Sequence, residues 1–268
     1  MKFDHVVHFI EGTPEGAVSF WKQQNLHAII GGRHEQWGTR NALLYGQDSY
    51  VEWLALEDRE TAESADHPLT QLLLHNGPGF GTVCFRTSSI QELNQRLNEA
   101  GFQTSGVLDG SRKTDDGRLI EWKMLFINEE PSARLPNPFF IQWNETDEEH
   151  SQGLRSVGAI KPESGNLVLE RCIFGVEDVE ETGNRWRELL GGSLQLANCL
   201  IEFRKLEGKK RDLKKFTSKM PKSRLYTKKV FTGYNGLNSK AGRCCDKIDR
   251  LEAAMLNWPQ RRMCIWKH

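Results

Sequence analysis

Two histidines, His5 and His8, stand three residues apart in "DHVVHFI", at the start of the chain. Two later apolar runs are each interrupted by one polar residue: Glu52 in "YVEWLAL" and Gln142 in "FFIQW". Successive side chains of a strand alternate faces. His5 therefore goes with Val7 and Phe9, and His8 with Asp4 and Val6, so at most one of the two histidines belongs to a given site. By the same rule Tyr50, Glu52 and Leu54 share a face, and so do Phe140 and Gln142. A polar side chain buried in such a strand needs a partner. His5, Glu52 and Gln142 could serve one another or ligate a metal. A neutral imidazole with a carboxylate suits a divalent ion such as Zn, Ni, Mn or Fe, which would polarise a carbonyl or enolate oxygen. The plainer alternative for His5 is a buried histidine hydrogen-bonded to Glu52; for His8 it is packing or exposure.

The elements that must position these residues recur along the chain. A strand-like run, a helix N-cap and an amphipathic helix appear three times. First comes "FDHVVHFIEG", with Thr13 as cap and Pro14 at the first helical position. Next is "GTVCFRT", with Ser89 and Glu92 spaced as a capping box and Ile90, Leu93 and Leu97 on one face. The third is "NLVLERCIFGV", with Asp178 and Glu181 in the same relation. Three further strand candidates follow each of the first two helices: "HAIIGG", "RNALLYG" and "SYVEWLAL", then "FQTSGVLDG", "RLIEWKMLFIN" and "PFFIQWNE". This spells an α+β fold with a βαβββ unit used twice, over residues 3–58 and 80–145 of a first domain, 1–145. A partial third βα unit, 146–204, ends in a strand within "SLQLANCLIEFRK".

The 268 residues carry 36 basic and 36 acidic side chains, but unevenly. From Arg204 onward there are 19 Lys and Arg against 5 Asp and Glu, which leaves 17 against 31 in the rest. Residues 205–268 thus read as a basic tail, a flexible extension or a non-native end, adding little to the core. A lysine-rich run alone is weak evidence for nucleic acid. No apolar run approaches membrane-spanning length and the N-terminus lacks a signal-peptide pattern. The six cysteines fall in no zinc spacing and have no assignable base, so they are expected as free thiols in a reducing cytoplasm.

A duplicated βαβββ unit with a histidine near its start and a glutamate in its fourth strand resembles the vicinal oxygen chelate superfamily, which includes glyoxalase I, extradiol dioxygenases and bleomycin-resistance proteins. Within it the chain is similar to bacterial glyoxalase-like domain proteins. "DHVV", "GGRHEQWGTRNALLYGQDSYVEWLAL" and "NPFFIQW" carry the likeness, which spans roughly residues 3–203. It implies the glyoxalase/bleomycin-resistance/dihydroxybiphenyl-dioxygenase fold: eight strands curved around one cavity, here with a third partial unit outside. It also implies metal ligands on the first and fourth strands of each unit. These are His5 and Glu52 in unit one; in unit two they fall near Gly81 or Thr82, and at Gln142. Unit two departs from the pattern, with no histidine at 81–82 and an amide in place of an acid. His34 or His75 could add a ligand, though no spacing requires it. Glu52 is the catalytic candidate, and Asn41, Arg118 and Trp122 are pocket candidates. The implied partner is a small-molecule substrate or ligand, with a homodimer left open and neither membrane nor nucleic acid favoured. Two functions follow: a metal-assisted lyase, isomerase or dioxygenase, or a metal-free small-molecule binding or resistance protein.

Overall fold

Unit one runs β1 (Lys2–Ile10), α1 (Pro14–Gln23), β2 (Ile29–His34), β3 (Thr39–Tyr45) and β4 (Tyr50–Leu56) in the computed structural model, which describes residues 1–113, 119–130, 135–162, 166–206 and 263–267. A linker with two short helices follows, α2 (Arg59–Ser64) and α3 (Pro68–Asn76). Unit two repeats the pattern with β5 (Gly79–Arg86), α4 (Ile90–Glu99), β6 (Thr104–Lys113), β7 (Leu119–Ile127) and β8 (Phe139–Trp143). The eight strands form one curled sheet in the order β2-β3-β4-β1-β5-β8-β7-β6. Its two halves mirror each other. Each first strand runs parallel to its fourth, and β1 and β5 meet antiparallel at the centre.

Local chemistry explains the helices. Thr13 caps α1 by accepting from the Gly16 N–H, and Asp58 and Asp178 cap their helices likewise. Ser89 makes no side-chain cap bond, so the capping box expected there does not form. The Oε1 of Gln142 accepts from the Ile90 N–H instead, at 2.8 Å.

The helices cover one face of the sheet, burying Phe3, Val6, Trp21, Trp53, Phe85, Leu97 and Phe140. Val7, Phe9, Leu54, Cys84, Trp122, Met124, Phe139 and Ile141 are buried on the concave face. After α5 (Asp147–Ser156), a third unit of β9 (Val168–Val176), α6 (Val179–Leu190) and β10 (Leu200–Lys205) packs on the helix side of unit two. There Phe174 meets Phe80, and Trp186 meets Phe85 edge-on. Burying a side chain of this size is worth about 1.5–3 kcal/mol. Asn198 ties this unit to the first strand: it accepts from Phe3 N–H at 2.8 Å and donates to Phe3 C=O at 2.9 Å.

β10 is shorter than the strand read from the sequence. It pairs parallel with β9, whose other edge takes β11 (Met263–Lys267) antiparallel. Five residues from the end of the basic stretch thus join a sheet, while 207–262 and 268 lie outside the described residues. Among the described residues no helix is long and apolar enough to cross a membrane.

Candidate functional site

A bulge in β1 gives the site its layout. Phe3 pairs with Phe85 and His5 with Cys84, so Asp4 is an extra residue opposite the bond between them. Strict alternation would send Asp4 to the helix side, opposite His5. The bulge instead lets the Asp4 carboxylate turn to the imidazole, with His5 Nδ1 2.7 Å from Asp4 Oδ1. Both are buried. Unit two holds Asp4 from behind: Trp143 Nε1–H donates to Oδ2 at 3.1 Å and Arg86 Nη1 lies 3.3 Å from the same oxygen.

On its other side His5 meets the acid that the strand pattern singled out. Its Nε2 lies 3.4 Å from Glu52 Oε2, and Asn41 Nδ2 donates to Glu52 Oε1 at 2.5 Å. Tyr50 stacks on the imidazole at 4.4 Å between centroids. The result is a line of polar groups, Asp4–His5–Glu52–Asn41, of which His5, Glu52 and Asn41 line a cavity of about 590 Å³ measured out to its open mouth, with Asp4 behind them. Trp37, Tyr45, Trp122, Phe139, Ile141 and Trp143 supply much of the remaining wall.

Burial works against each charge in this line, and the neighbours overcome it. Desolvation alone would lower His5. Cys84, the Asp4 hydrogen bond and Glu52 oppose it, and the imidazole sits well above its ordinary value. Desolvation would raise Glu52 and Asp4, but His5 above all keeps both carboxyls below theirs. The shifts thus run toward an imidazolium between two carboxylates. Burial pushes the Cys84 thiol up to about 12, which removes it as a nucleophile at neutral pH.

His8 belongs to the other face and burial lowers it to about 4. The remaining sequence candidates divide. Asn41 and Trp122 line the cavity. Arg118 lies outside the described residues. His34 lines the cavity with Nδ1 3.0 Å from Thr39 Oγ1, whereas His75 is exposed on α3 beside Asn76. Gln142 does not approach Glu52. In β8 the cavity face carries Phe139, Ile141 and Trp143, so Gln142 points to the helix side and caps α4. A one-residue offset in a strand exchanges its faces, and the likeness of "QW" to the "EW" of unit one concealed that offset.

The other ligand position expected in unit two is also empty of chemistry. At Gly81 a Cβ would come within 2.6 Å of the Phe9 ring, and the Thr82 hydroxyl donates to Asn137 C=O at 2.7 Å. The donor set therefore does not fit a metal centre shared between the units. What does cluster is Asp4, His5 and Cys84, whose ligating atoms lie within 4.8 Å of one another.

Three contributors were not legible in the strand pattern. Asp4 was hidden by the bulge. His67 and Thr70, both buried, enter the cavity from the linker at the start of α3. Their signal was the Pro68 that opens a helix in "HPLTQLLLHN".

The family described as glyoxalase-like domain matches residues 3–190, most of the chain. A crystal structure of a hypothetical protein from Staphylococcus aureus shares the fold, with 24% identity, a TM-score of 0.65, and 78% of this chain and 86% of that one covered. Methylmalonyl-CoA epimerases from Streptomyces coelicolor and Mycobacterium tuberculosis align over 54% of this chain and 99% and 89% of theirs, at 16% and 20% identity. Their TM-scores of 0.40 and 0.39 are too low to bear on function. No curated protein matches. The chain belongs to the glyoxalase-like domain family.

Proposed function

We propose that this glyoxalase-like protein moves a proton on a small oxygenated molecule held in the aromatic-walled cavity, with Glu52 as the base and His5 as the acid beside it. The observation that carries this reading is the Asp4–His5–Glu52–Asn41 line, with His5, Glu52 and Asn41 on the cavity wall. A carboxylate kept ionised at the edge of a mostly apolar hollow can take a proton from carbon next to a carbonyl. The adjacent imidazolium supplies the charge that stabilises the resulting enolate oxygen. Asp4 fixes the imidazole orientation from Nδ1, and Asn41 fixes the carboxylate. The aromatic walls suit a ligand with an apolar body and few oxygens.

The test is deuterium exchange at the α-carbon of 2-hydroxyacetophenone in D2O, followed by NMR. The native protein is expected to accelerate it and Glu52→Gln to lose nearly all of that acceleration, 100-fold or more on the order of a general-base contribution. Binding without exchange would leave a metal-free binding or resistance protein, which the unit-two wall of apolar residues favours.

A second reading retains a divalent ion on unit one alone. Its support is the 3.4 Å separation of His5 Nε2 and Glu52 Oε2, with Asp4 behind the histidine as carboxylates stand behind ligating histidines. Elemental analysis of protein purified without chelators decides it: a stoichiometric transition metal, lost in His5→Ala, would replace the proton-transfer reading.

A further inference from the structure

The linker between the units also reaches into the cavity. His67 occupies the N-cap position of α3 yet makes no capping bond, so the local task of that position is left undone. Its ring instead lines the cavity, only 4% exposed. It lies flat on Trp37, with centroids 4.0 Å apart and planes at 19°, and meets Phe126 edge-on at 5.3 Å. Two aromatic neighbours thus fix its orientation. Nδ1 has the Thr70 hydroxyl 3.4 Å away, while Nε2 is buried and has no hydrogen-bond partner. Burial, with the His34 ring nearby, lowers the imidazole to about 3 despite the opposing influence of Glu52, so it is neutral at physiological pH.

A buried polar atom in a native fold is ordinarily satisfied. An unsatisfied one on a side chain that lines a cavity marks a place where a ligand can complete the bonding. We propose that His67 is a ligand-positioning residue whose Nε2–H donates to a carbonyl oxygen of the molecule in the cavity. This assigns the tautomer in which the Thr70 hydroxyl donates to Nδ1 and the ring proton resides on Nε2, a neutral donor. The ligand class is accordingly a small carbonyl compound with an apolar body. Trp37 and the other aromatic walls cover that body, one oxygen function meets His67, and the acidic carbon lies toward Glu52. This rests on the proton-transfer reading for the position of the reacting carbon but not for the binding of the oxygen.

The test uses the full chain and two probes, 2-hydroxyacetophenone and its carbonyl-free analogue 2-phenylethanol, titrated by quenching of tryptophan fluorescence. His67→Phe keeps a ring on Trp37 and removes the donor; His67→Gln keeps a donor. The expected result is roughly tenfold weaker binding of 2-hydroxyacetophenone in His67→Phe, the loss of about one hydrogen bond, with affinity recovered in His67→Gln. Affinity for 2-phenylethanol should not change. His67→Phe should also melt a few degrees higher without probe, roughly 2–4 °C, because no nitrogen is left stranded. Equal affinity of native protein and His67→Phe for 2-hydroxyacetophenone overturns the proposal, as does no uptake of it by the native protein at millimolar concentration. A lower melting temperature with unchanged affinity would show a ring that only packs, and overturns it too. If His67-dependent binding is seen but the α-carbon does not exchange, this proposal stands and the proton-transfer reading falls.

Discussion

In unit one the strands present Thr39, Asn41, Tyr50 and Glu52 to the cavity; in unit two they present Trp122, Met124, Phe139, Ile141 and Trp143. The backbones are equivalent strand for strand, and the order β2-β3-β4-β1 is answered by β6-β7-β8-β5. Topology thus decides where a side chain can point but not what it does there. Unit one contributes most of the charge, and unit two a wall that excludes water and strengthens that charge. The division has exceptions: Trp143 and Arg86 of unit two reach across to hold Asp4.

The harshest way to break the contrast is to make the charged half neutral from within. His5→Ala leaves Asp4 and Glu52 buried without the cation between them. Removing one partner of a buried ion pair costs about 3–5 kcal/mol, so a shift of that size is expected in urea unfolding. His8→Ala, on the other face, should show a much smaller shift.

A milder test uses acid. His67 is held neutral, lowered from 6.5 to about 3, and His8 is lowered to about 4. Between pH 6.5 and those values the unfolded chain binds more protons than the folded one, so stability should fall as pH drops. Each histidine contributes at most about 1.4 kcal/mol per pH unit, and His8, only partly shielded from solvent, contributes less. His5 has the opposite sign. Its raised value gives stability that is present below pH 6.5 and is lost as pH climbs through that higher value. Asp4 and Glu52 give stability that is present above their ordinary values, 3.8 and 4.5, and is lost as pH falls through their lower folded ones. Urea midpoints from pH 4 to 7 check this, and His67→Phe should flatten the acid slope.

The smallest expected effect sharpens the comparison most. Glu52 and Gln142 looked equivalent in sequence, but Gln142 serves α4. Gln142→Leu should cost about 1 kcal/mol, the value of a helix cap, and leave probe binding and exchange unchanged. If exchange fell with it, Gln142 would belong to the site after all.

What could be read from the sequence follows this division. The βαβββ repeat, the pairing of His5 with Glu52 and the separation of His5 from His8 all rest on period-two alternation, which holds wherever a strand is regular. Alternation fails at Asp4, because a bulge is a property of two strands in register and leaves no mark on one of them. It holds in β8, where Gln142 stands opposite Phe139, Ile141 and Trp143; the ligand position implied for Gln142 by the resemblance fails because pairing with β5 and β7 turns the other face to the cavity. The linker helices lie outside any strand period, and their sequence signals are the helix openers Asp58 and Pro68.

The clasp of Asn198 on Phe3 has a consequence for how the molecule comes into being. β1 leaves the ribosome before its neighbours, which are β4, β5 and a side chain 195 positions later. At roughly 5–20 residues per second, that partner is translated about 10–40 s after β1. During that interval β4 and β5 can already flank β1, and only the clasp on Phe3 is missing. The clasp on β1 is therefore closed only after the strands that carry Asp4, His5 and Glu52 have been made.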